Sequence, residues 1–336
     1  MAVGMQPIST DPQQLSERIA QASQWVGTIK EEIARVLVGQ EELVDRLLIG
    51  LICNGHILLE GMPGLAKTLS VKALAGTLNL AFARLQFTPD LLPADLVGTM
   101  IYNPDQRTFA PKLGPIFANI ILADEINRAP AKVQSALLEA MQERQVTLGD
   151  KSYPLPAPFL VLATQNPIDQ EGTYQLPEAQ LDRFLLKVEV SYPDKEEELL
   201  IMDRMASTTP SESTRQVVDP STIEAGRAVI DQIYIDPAIR EYIVDLVNAT
   251  RYPAKVDTGL KPLLRAGASP RASINLILAC RAKAFMEGRS FVTPQDVKFL
   301  ARDILRHRVL LSYEAEAEDL SADMIIERIL SKVPVP

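Results

Sequence analysis

The sequence predicts an α/β fold, with a parallel sheet covered by helices on both faces, followed by an all-helical second domain. Three observations predict it. Short apolar runs alternate with helical patterns between residues 38 and 193, a glycine-rich loop joins one run to a helix, and the β signal fades after Tyr192. Continuous apolar strands that alternate with helices are typical of a parallel sheet buried on both faces. The 336 residues suffice for about two domains.

Residues 1–37 are predicted to form a tail and one helix. Apolar residues recur at helical spacing between Asp11 and Val38, and Gly39 ends the pattern. A second helical pattern runs from residue 40 to residue 53, where Asn54-Gly55 breaks it. It belongs to the α/β core.

The core, residues 38–193, contains five apolar runs that are bounded by turn signals or helical patterns. These predicted strands are 56–60, 83–88, 119–123, 159–164 and 185–190. Two irregular insertions interrupt them, at about 95–117 and about 145–158. In both insertions, Gly, Asn and Asp turn signals separate residues that could pair as a hairpin.

Residues 194–336 are predicted to form the helical domain. Its helical segments are 194–207, 221–232, 236–250, 270–287 and 294–311, with Pro220, Pro237, Pro270 and Pro294 near helix starts. The Ser/Thr-rich stretch at 206–214 is predicted to be an exposed connector.

Composition excludes several classes of function. The N-terminus lacks the basic and apolar regions of an export signal, and the most apolar stretch, 47–53, is too short to span a bilayer. The two cysteines lie far apart, which favours free buried thiols in a reducing compartment. We therefore expect a cytoplasmic protein without membrane insertion. The net charge of −9 argues against a general electrostatic attraction to nucleic acid, and a local basic lining of a pore is the alternative.

The stretch GMPGLAKT, residues 61–68, nearly matches the phosphate-binding loop G-x-x-x-x-G-K-[ST]. Its backbone N–H groups can wrap an anion, Lys67 can reach the β- and γ-phosphates, and Thr68 can ligate Mg²⁺. The alternative is a chance glycine-proline turn, but the preceding strand and following helix favour the phosphate loop. Ala66 replaces the second glycine at a helix entry, where we expect alanine to be conformationally acceptable. The predicted nucleotide-binding residues are Gly61, Met62, Pro63, Gly64, Leu65, Ala66, Lys67, Thr68 and Leu69.

Two adjacent carboxylates, Asp124 and Glu125, end the strand at 119–123. Phosphoryl transfer needs one carboxylate near the Mg²⁺ shell and another to orient or deprotonate water. We expect Asp124 to hold the Mg²⁺ shell at the nucleotide, and Glu125 to orient or deprotonate the attacking water. The alternative is that both acids favour the start of the next helix.

Polar residues also follow the strand at 159–164. Asn166 would face the crevice at the carboxyl edge of the sheet, where ligands bind in open α/β folds, and could position water. As a residue before proline, Asn166 could equally begin a turn.

Taken together, these motifs resemble the AAA+ ATPases, and specifically the MoxR group. The resemblance covers about residues 30 to 330. It rests on GMPGLAKT, DEINRAP at 124–130, ATQNP at 163–167, LPEAQLDRF at 176–184 and GASPRA at 267–272. Alanine before the loop lysine also occurs in that group.

The resemblance implies roles for particular residues. Lys67 and Thr68 match Walker A, Asp124 and Glu125 match Walker B, and Asn166 matches sensor 1. Val38, Gly39 and Gln40 resemble the stretch that flanks the adenine in such ATPases. The cofactors that the resemblance implies are ATP and Mg²⁺.

Two arginines complete the implied catalytic set. Arg183 aligns with the arginine finger that reaches a neighbouring subunit's γ-phosphate, and Arg271 aligns with sensor 2 of a helical lid. Arg128 is a rival for the contact in trans. Alternatively, Arg183 could pair with Asp182 or Glu178 on the surface, and Arg271 could decorate a helix start.

The insertions resemble the helix-2 insert and the pre-sensor 1 hairpin of one AAA+ clade. Such elements usually face the pore or the client. Tyr102, Arg107 and Phe109 are the contact candidates, and ordinary hairpin packing is their alternative.

The resemblance implies a homo-oligomeric, hexameric ring that uses ATP hydrolysis to remodel or mature partner proteins, including proteins with von Willebrand factor A-type domains. A motor subunit of a metal-chelatase complex, an ATP-dependent assembly switch with little turnover, and a DNA translocase remain alternatives. The acidic net charge counts against the last of these.

Overall fold

A computed structural model describes residues 12–105, 107–166, 174–206 and 213–336. The predicted tail before residue 12, Pro167 of the ATQNP motif and most of the 206–214 connector lie outside the described residues.

The N-terminal region and the α/β core alternate helices and strands in the predicted order. Their bounds are α1 Pro12–Ala22, α2 Gln24–Val36, α3 Glu41–Ile52, β1 Ile57–Glu60, α4 Lys67–Thr77, β2 Phe82–Gln86, α5 Pro93–Val97, β3 Gly98–Asn103, β4 Thr108–Leu113, β5 Ile120–Asp124, α6 Ala131–Glu143, β6 Gln145–Leu148, β7 Lys151–Pro154, β8 Leu160–Gln165, α7 Glu178–Leu181 and β9 Leu186–Glu189.

The predicted single helix between residues 11 and 38 is interrupted once. It forms α1 and α2, which meet at Ser23. The Ser23 hydroxyl donates to the Ala20 carbonyl at 3.2 Å. Such a bond competes with the helix's own hydrogen bonds and bends the backbone.

The five predicted strands form one parallel sheet in the order β2-β5-β8-β1-β9. Strands β5, β8 and β1 are therefore neighbours, although they are far apart in sequence. Since all strands run in the same direction, their carboxyl ends meet at one edge. The glycine-rich loop, the acidic pair and Asn166 follow these three ends.

Side chains of the central strands alternate between two hydrophobic cores. Ile57 and Leu59 of β1 pack on the side of α2, α3 and α4, while Leu58 packs on the side of α6. The same alternation holds along β5 and β8. This period of two, with both faces buried, explains the unbroken apolar runs in the sequence.

Both insertions form antiparallel hairpins, as predicted. β3 pairs with β4 and β6 pairs with β7. Tyr102 and Phe109 are cross-strand partners whose ring centroids lie 5.3 Å apart, yet their side chains are 49% and 65% exposed. Arg107 lies in the connecting turn with a positive φ of 51°.

The C-terminal region is a helical lid, as predicted. It comprises α8 Lys195–Met205, α9 Pro220–Ile230, α10 Pro237–Arg251, β10 Leu264–Ala266, α11 Pro270–Met286, α12 Pro294–Leu305, β11 Leu310–Leu311, α13 Tyr313–Ala317 and α14 Ala322–Lys332, with two short 3₁₀ turns at 253–255 and 258–260.

The helix predicted at 294–311 is too long. Helix α12 ends at Leu305, and the chain then turns so that the side chains of His307 and Arg308 bond the Phe184 carbonyl. Residues 310–311 pair with β10 as a short antiparallel ladder. These partners are remote in sequence, so helical periodicity alone did not reveal the end of the helix.

Across the described residues, we find no helix with both the length and the apolar character needed to cross a bilayer.

Candidate functional site

The glycine-rich loop connects β1 to α4, whose first residue is Lys67. A Cβ atom on Gly61 would lie 2.8 Å from the Val190 carbonyl oxygen, so the loop needs glycine where it passes the end of β9. Gly64 has a φ of +87° in open space, so its glycine serves the backbone conformation alone. The free N–H groups at the start of α4 are a favourable place for a phosphate.

The backbone conformation of Ala66 differs from the one expected for a residue at a helix entry. Its φ of 55° and ψ of 15° lie in the left-handed region, so this is a strained position for alanine. The expectation that alanine is conformationally acceptable here is therefore wrong. Left-handed residues of this kind persist where the surrounding structure imposes them, and they concentrate at functional sites.

The Lys67 ammonium lies inside the loop and donates to the Gly61 carbonyl at 2.5 Å. Burial lowers the pKa of Lys67, and the nearby carboxylates of Asp124, Glu125 and Glu60 oppose that shift. A cation that is partly removed from water and close to carboxylates is suited to binding phosphate oxygens.

Asp124 ends β5, and a hydrogen-bonded chain fixes its carboxylate. The Thr164 hydroxyl donates to Asp124 Oδ1 at 2.6 Å and accepts from the Glu125 N–H at 2.8 Å. On the other side, Arg84 donates to Asp124 Oδ2 from Nε at 3.0 Å and from Nη2 at 2.6 Å. Asp124 therefore has a defined orientation at the carboxyl edge of the sheet.

Glu125 also has a left-handed backbone, with a φ of 57°, which turns its side chain away from the strand direction. The Gln86 amide donates to Glu125 Oε2 at 2.8 Å, and Arg128 Nε lies 3.2 Å from the same oxygen. Arg128, the rival for the trans contact, is thus paired with the Glu125 of its own chain.

Sequence reasoning missed Arg84, Gln86 and Thr164. Arg84 and Gln86 are on β2, where Gln86 is in register with Asp124. A signal was present, because polar residues at alternate positions of an otherwise apolar strand share one face. The sequence of β2 alone does not reveal which strand it pairs with.

A cavity of about 540 Å³ brings the predicted groups together. This volume is in the range of small-molecule sites. Its polar wall contains Lys67, Thr68, Asp124, Glu125 and Asn166. Its apolar wall has two parts. Val36, Leu37 and Val38 come from the segment before α3, and Ile201 and Met205 come from α8.

The structure places some predicted nucleotide-binding residues differently. Pro63 to Leu69 line the cavity, whereas Gly61 and Met62 do not. The Gln40 side chain donates to the Ser191 carbonyl at 3.1 Å and lines a separate cavity. Gly39 packs against the Glu197 carboxylate. Of the predicted adenine-flanking stretch, Val38 is the residue that reaches the cavity.

Mg²⁺ would be held by oxygen ligands, which the site offers through Thr68 and Asp124. In the described parts of the chain, this site included, no group of three or more His, Cys, Asp or Glu side chains is arranged to bind a metal ion. A magnesium ion here would complete its shell with phosphate oxygens and water.

Arg183 and Arg271 share a different, smaller cavity of about 200 Å³, together with Asp182 and His56. Arg183 is exposed, and its Nη1 donates to the Leu138 carbonyl at 2.9 Å. The surface pairs considered for Arg183 have other partners, because Asp182 bonds Arg308 and Glu178 bonds Arg265. Neither Arg183 nor Arg271 lines the cavity that contains Lys67.

Comparison with known proteins gives consistent matches over nearly the whole chain. Residues 56–186 match the profile of the ATPase family associated with various cellular activities, and residues 257–329 match the AAA lid domain. The chain is 48% identical over 306 residues to the chaperone MoxR1 of Mycobacterium tuberculosis, covering 91% of this chain and 81% of that protein. It is 33% identical over 321 residues to the MoxR protein of Paracoccus denitrificans, covering 90% and 93%.

A crystal structure of a candidate ATPase from Cytophaga hutchinsonii has the same architecture. It superimposes with a TM-score of 0.89 at 51% sequence identity, and the match covers 96% of this chain and 98% of that one.

Proposed function

The chain belongs to the MoxR family of AAA+ ATPases, and we propose that it hydrolyses ATP to ADP and phosphate to drive chaperone-like remodelling or maturation of partner proteins. The observation that supports hydrolysis best is the cavity shared by Lys67, Thr68, Asp124, Glu125 and Asn166. These groups supply charge stabilisation, metal ligands and a base, which are the parts that phosphoryl transfer requires.

ATP binds with its phosphates at the start of α4 and its base against the apolar wall. Lys67 would contact the β- and γ-phosphates, and the Thr68 hydroxyl and Asp124 would hold Mg²⁺. When bound, Mg²⁺ neutralises the negative charge on the phosphate oxygens. Glu125 orients the attacking water and accepts its proton, while Gln86 holds Oε2 of that carboxylate. Asn166 positions the water from the end of β8.

Arg183 and Arg271 act on the ATP of a neighbouring subunit. Both lie away from the Lys67 cavity of their own chain, and both are exposed residues. An arginine that stabilises the transition state only after a neighbour docks makes turnover depend on assembly. We therefore propose a homo-oligomeric ring, which the family resemblance suggests is hexameric.

The hairpin β3–β4 is the proposed contact with client proteins. Tyr102 and Phe109 form an exposed aromatic pair, and Arg107 adds a charge at the turn. Aromatic and arginine side chains are enriched where protein interfaces gain most of their affinity. Clients with von Willebrand factor A-type domains are proposed from the family resemblance alone.

Two substitutions test the nucleotide site separately. Lys67→Ala should abolish binding of a fluorescent ATP analogue. Lys72 is an exposed lysine on the same helix, so Lys72→Ala should leave binding intact.

Glu125→Gln should retain ATP binding and lower the hydrolysis rate by roughly 10²- to 10⁴-fold, as loss of a general base does.

Glu139→Gln is the control for the second substitution, because Glu139 is exposed on α6. Undiminished phosphate release by Glu125→Gln would refute the assigned base. Unchanged nucleotide binding by Lys67→Ala would refute the site itself.

A further inference from the structure

The lid residue Arg308 is buried inside the contact between lid and core, with its side chain only 1% exposed. All five of its N–H groups have an acceptor. Nε donates to Asp182 Oδ1 at 2.8 Å, Nη2 donates to the Asp182 carbonyl at 3.0 Å, and the other bonds reach the carbonyls of Phe184, Leu185 and Ile304. Removing a charge from water costs free energy, and a buried charge offsets that cost only where all its hydrogen-bonding groups have partners.

Three of these acceptors surround Arg183 in the sequence. The Asp182 and Phe184 carbonyls, which Nη2 bridges, flank Arg183 on both sides. Phe184 is fully buried, whereas Arg183 is exposed. Arg308 therefore fixes the backbone on both sides of Arg183, an exposed residue whose Nη1 bonds the Leu138 carbonyl.

The same contact connects Arg183 with Arg271. The Asp182 carboxylate accepts from the Ser269 hydroxyl at 3.0 and 2.9 Å and from Arg271 Nη1 at 3.5 Å. Ser269 is the N-cap of α11, the helix on which Arg271 lies. Asp182 thus joins the turn that carries Arg183 to the start of the helix that carries Arg271.

We propose that Arg308 is a positioning residue, which through Asp182 and its flanking carbonyls fixes Arg183 for contact with the neighbouring subunit's ATP. This inference rests on the proposed function. It adds a lid residue that touches no nucleotide to the residues on which turnover depends, and it makes the lid's docking a condition for an effective arginine in trans.

Only an arginine can make this contact. A guanidinium presents five N–H groups in a fixed planar fork, whereas the lysine ammonium is a point charge with three donors. Burial lowers the pKa of Arg308 to about 10, with the Asp182 hydrogen bond opposing that shift, so the guanidinium stays charged at neutral pH.

Arg308→Lys is therefore the informative variant. It should bind the fluorescent ATP analogue like the wild type and hydrolyse ATP about 10²-fold more slowly, the usual cost of misplacing a reacting group by about 1 Å. Arg306→Lys is the matched control. Arg306 is also a buried lid arginine, but it bonds Asp323 and the Lys187 carbonyl instead of the Asp182–Phe184 turn.

Mixing experiments locate the defect. Glu125→Gln subunits have an intact Arg183 and an inactive site, so adding them to Arg308→Lys subunits should restore hydrolysis. Arg183→Ala subunits have an intact site but no arginine to donate, so adding them to Arg308→Lys subunits should restore nothing.

Three results would overturn the inference. They are full activity of Arg308→Lys alone, recovery with Arg183→Ala instead of Glu125→Gln, and an equal loss of rate in Arg306→Lys. Should Arg308→Lys fail to fold, Asp182→Asn carries the same two mixtures, with the same expected pattern.

A reference mixture of Arg183→Ala with Glu125→Gln separates the two claims. If the reference recovers activity and the Arg308→Lys mixtures do not follow the pattern above, the positioning role of Arg308 fails alone. If the reference stays inactive, sharing of sites between subunits fails, and the inference falls with it.

Discussion

Ala66 and Glu125 are the residues where the backbone itself is arranged for the site. Both have a positive φ, of 55° and 57°, although neither is glycine. Each such residue costs of order 1 kcal/mol or more, which the surrounding structure must offset. For Glu125 that support is visible, because its N–H donates to Thr164 and its carboxylate accepts from Gln86. A strained and doubly held residue keeps its carboxylate in one place.

His56 is a buried residue whose hydrogen bonds determine where its imidazole ring carries a proton. The Val161 N–H donates to Nδ1 at 2.9 Å, so the neutral ring carries its proton on Nε2, which lies 3.1 Å from the Met141 carbonyl. Protonation would place a hydrogen on Nδ1 against that N–H. Burial lowers the pKa of His56 to about 4, with the Met141 bond opposing the shift.

This pKa predicts a loss of stability in mild acid. Since the folded pKa lies below the unfolded value of 6.5, the stabilisation is complete above pH 6.5 and is lost as the pH falls towards 4. Between pH 7 and 5 the free energy of unfolding should fall by about 2 kcal/mol from this group. His56→Gln should be less stable at pH 7 but should lack this part of the loss in urea unfolding. Equal losses in both proteins would contradict the assignment.

At the scale of elements, helices α3 and α12 join the core to the lid through a buried ion pair. Arg46 Nε lies 2.9 Å from Asp303 Oδ2, and their side chains are 8% and 7% exposed. The Arg46 guanidinium also lies 4.2 Å from the centre of the Phe299 ring. Burial raises the pKa of Asp303, and the charges of Arg46 and Arg306 oppose the shift.

Breaking this pair should be costly, whereas replacing it should not. Asp303→Leu leaves the buried Arg46 with the exposed Glu42 carboxylate, 3.7 Å from its Nη2, as its remaining ion-pair partner. The substitution should lower the free energy of unfolding by about 3 kcal/mol. The double variant Arg46→Met/Asp303→Leu should recover part of that loss, because no unpaired charge remains. Urea unfolding measures both.

The control is the Arg302–Glu327 pair between α12 and α14. It is 2.7 Å long but about half exposed at both side chains. Arg302→Met should therefore change stability by less than about 1 kcal/mol. A double variant of the buried pair that is as unstable as the sum of its single variants would contradict the account.

Helices and strands could be predicted from the sequence where the local pattern of residues determines them. The five strands could be predicted because burial on both faces leaves continuous apolar runs in the sequence. The end of α12 could not, because Arg308 bonds carbonyls more than a hundred residues earlier. The break at Ser23 depends on one side-chain bond to Ala20 that periodicity does not register.

At the scale of the whole molecule, the site residues divide in the same way. That Lys67, Thr68, Asp124, Glu125 and Asn166 would lie together was predictable, because each lies at or just after a strand end in a recognisable motif, and they line one cavity. Arg84 and Gln86 were not, because their contacts depend on β2 lying beside β5. Strand order is a property of the packed molecule.

The molecule separates the groups that we propose bind phosphate from the arginines that we propose stabilise the transition state. Lys67 and Glu125 line one cavity, whereas Arg183 and Arg271 line another. In the ring that we propose, the arginines of one subunit would lie at the cavity of the next subunit and complete its site. The central claim is therefore that hydrolysis requires residues from two subunits.

The most direct test mixes two inactive variants. Glu125→Gln lacks the base, and Arg183→Ala lacks the arginine, so each alone should bind ATP and release almost no phosphate. When the two are mixed, Arg183 of one subunit can serve Glu125 of the other, and phosphate release should rise well above the sum of the separate variants. If the mixture stays as inactive as its components under conditions where both assemble, the arginine does not act in trans, and the account is wrong.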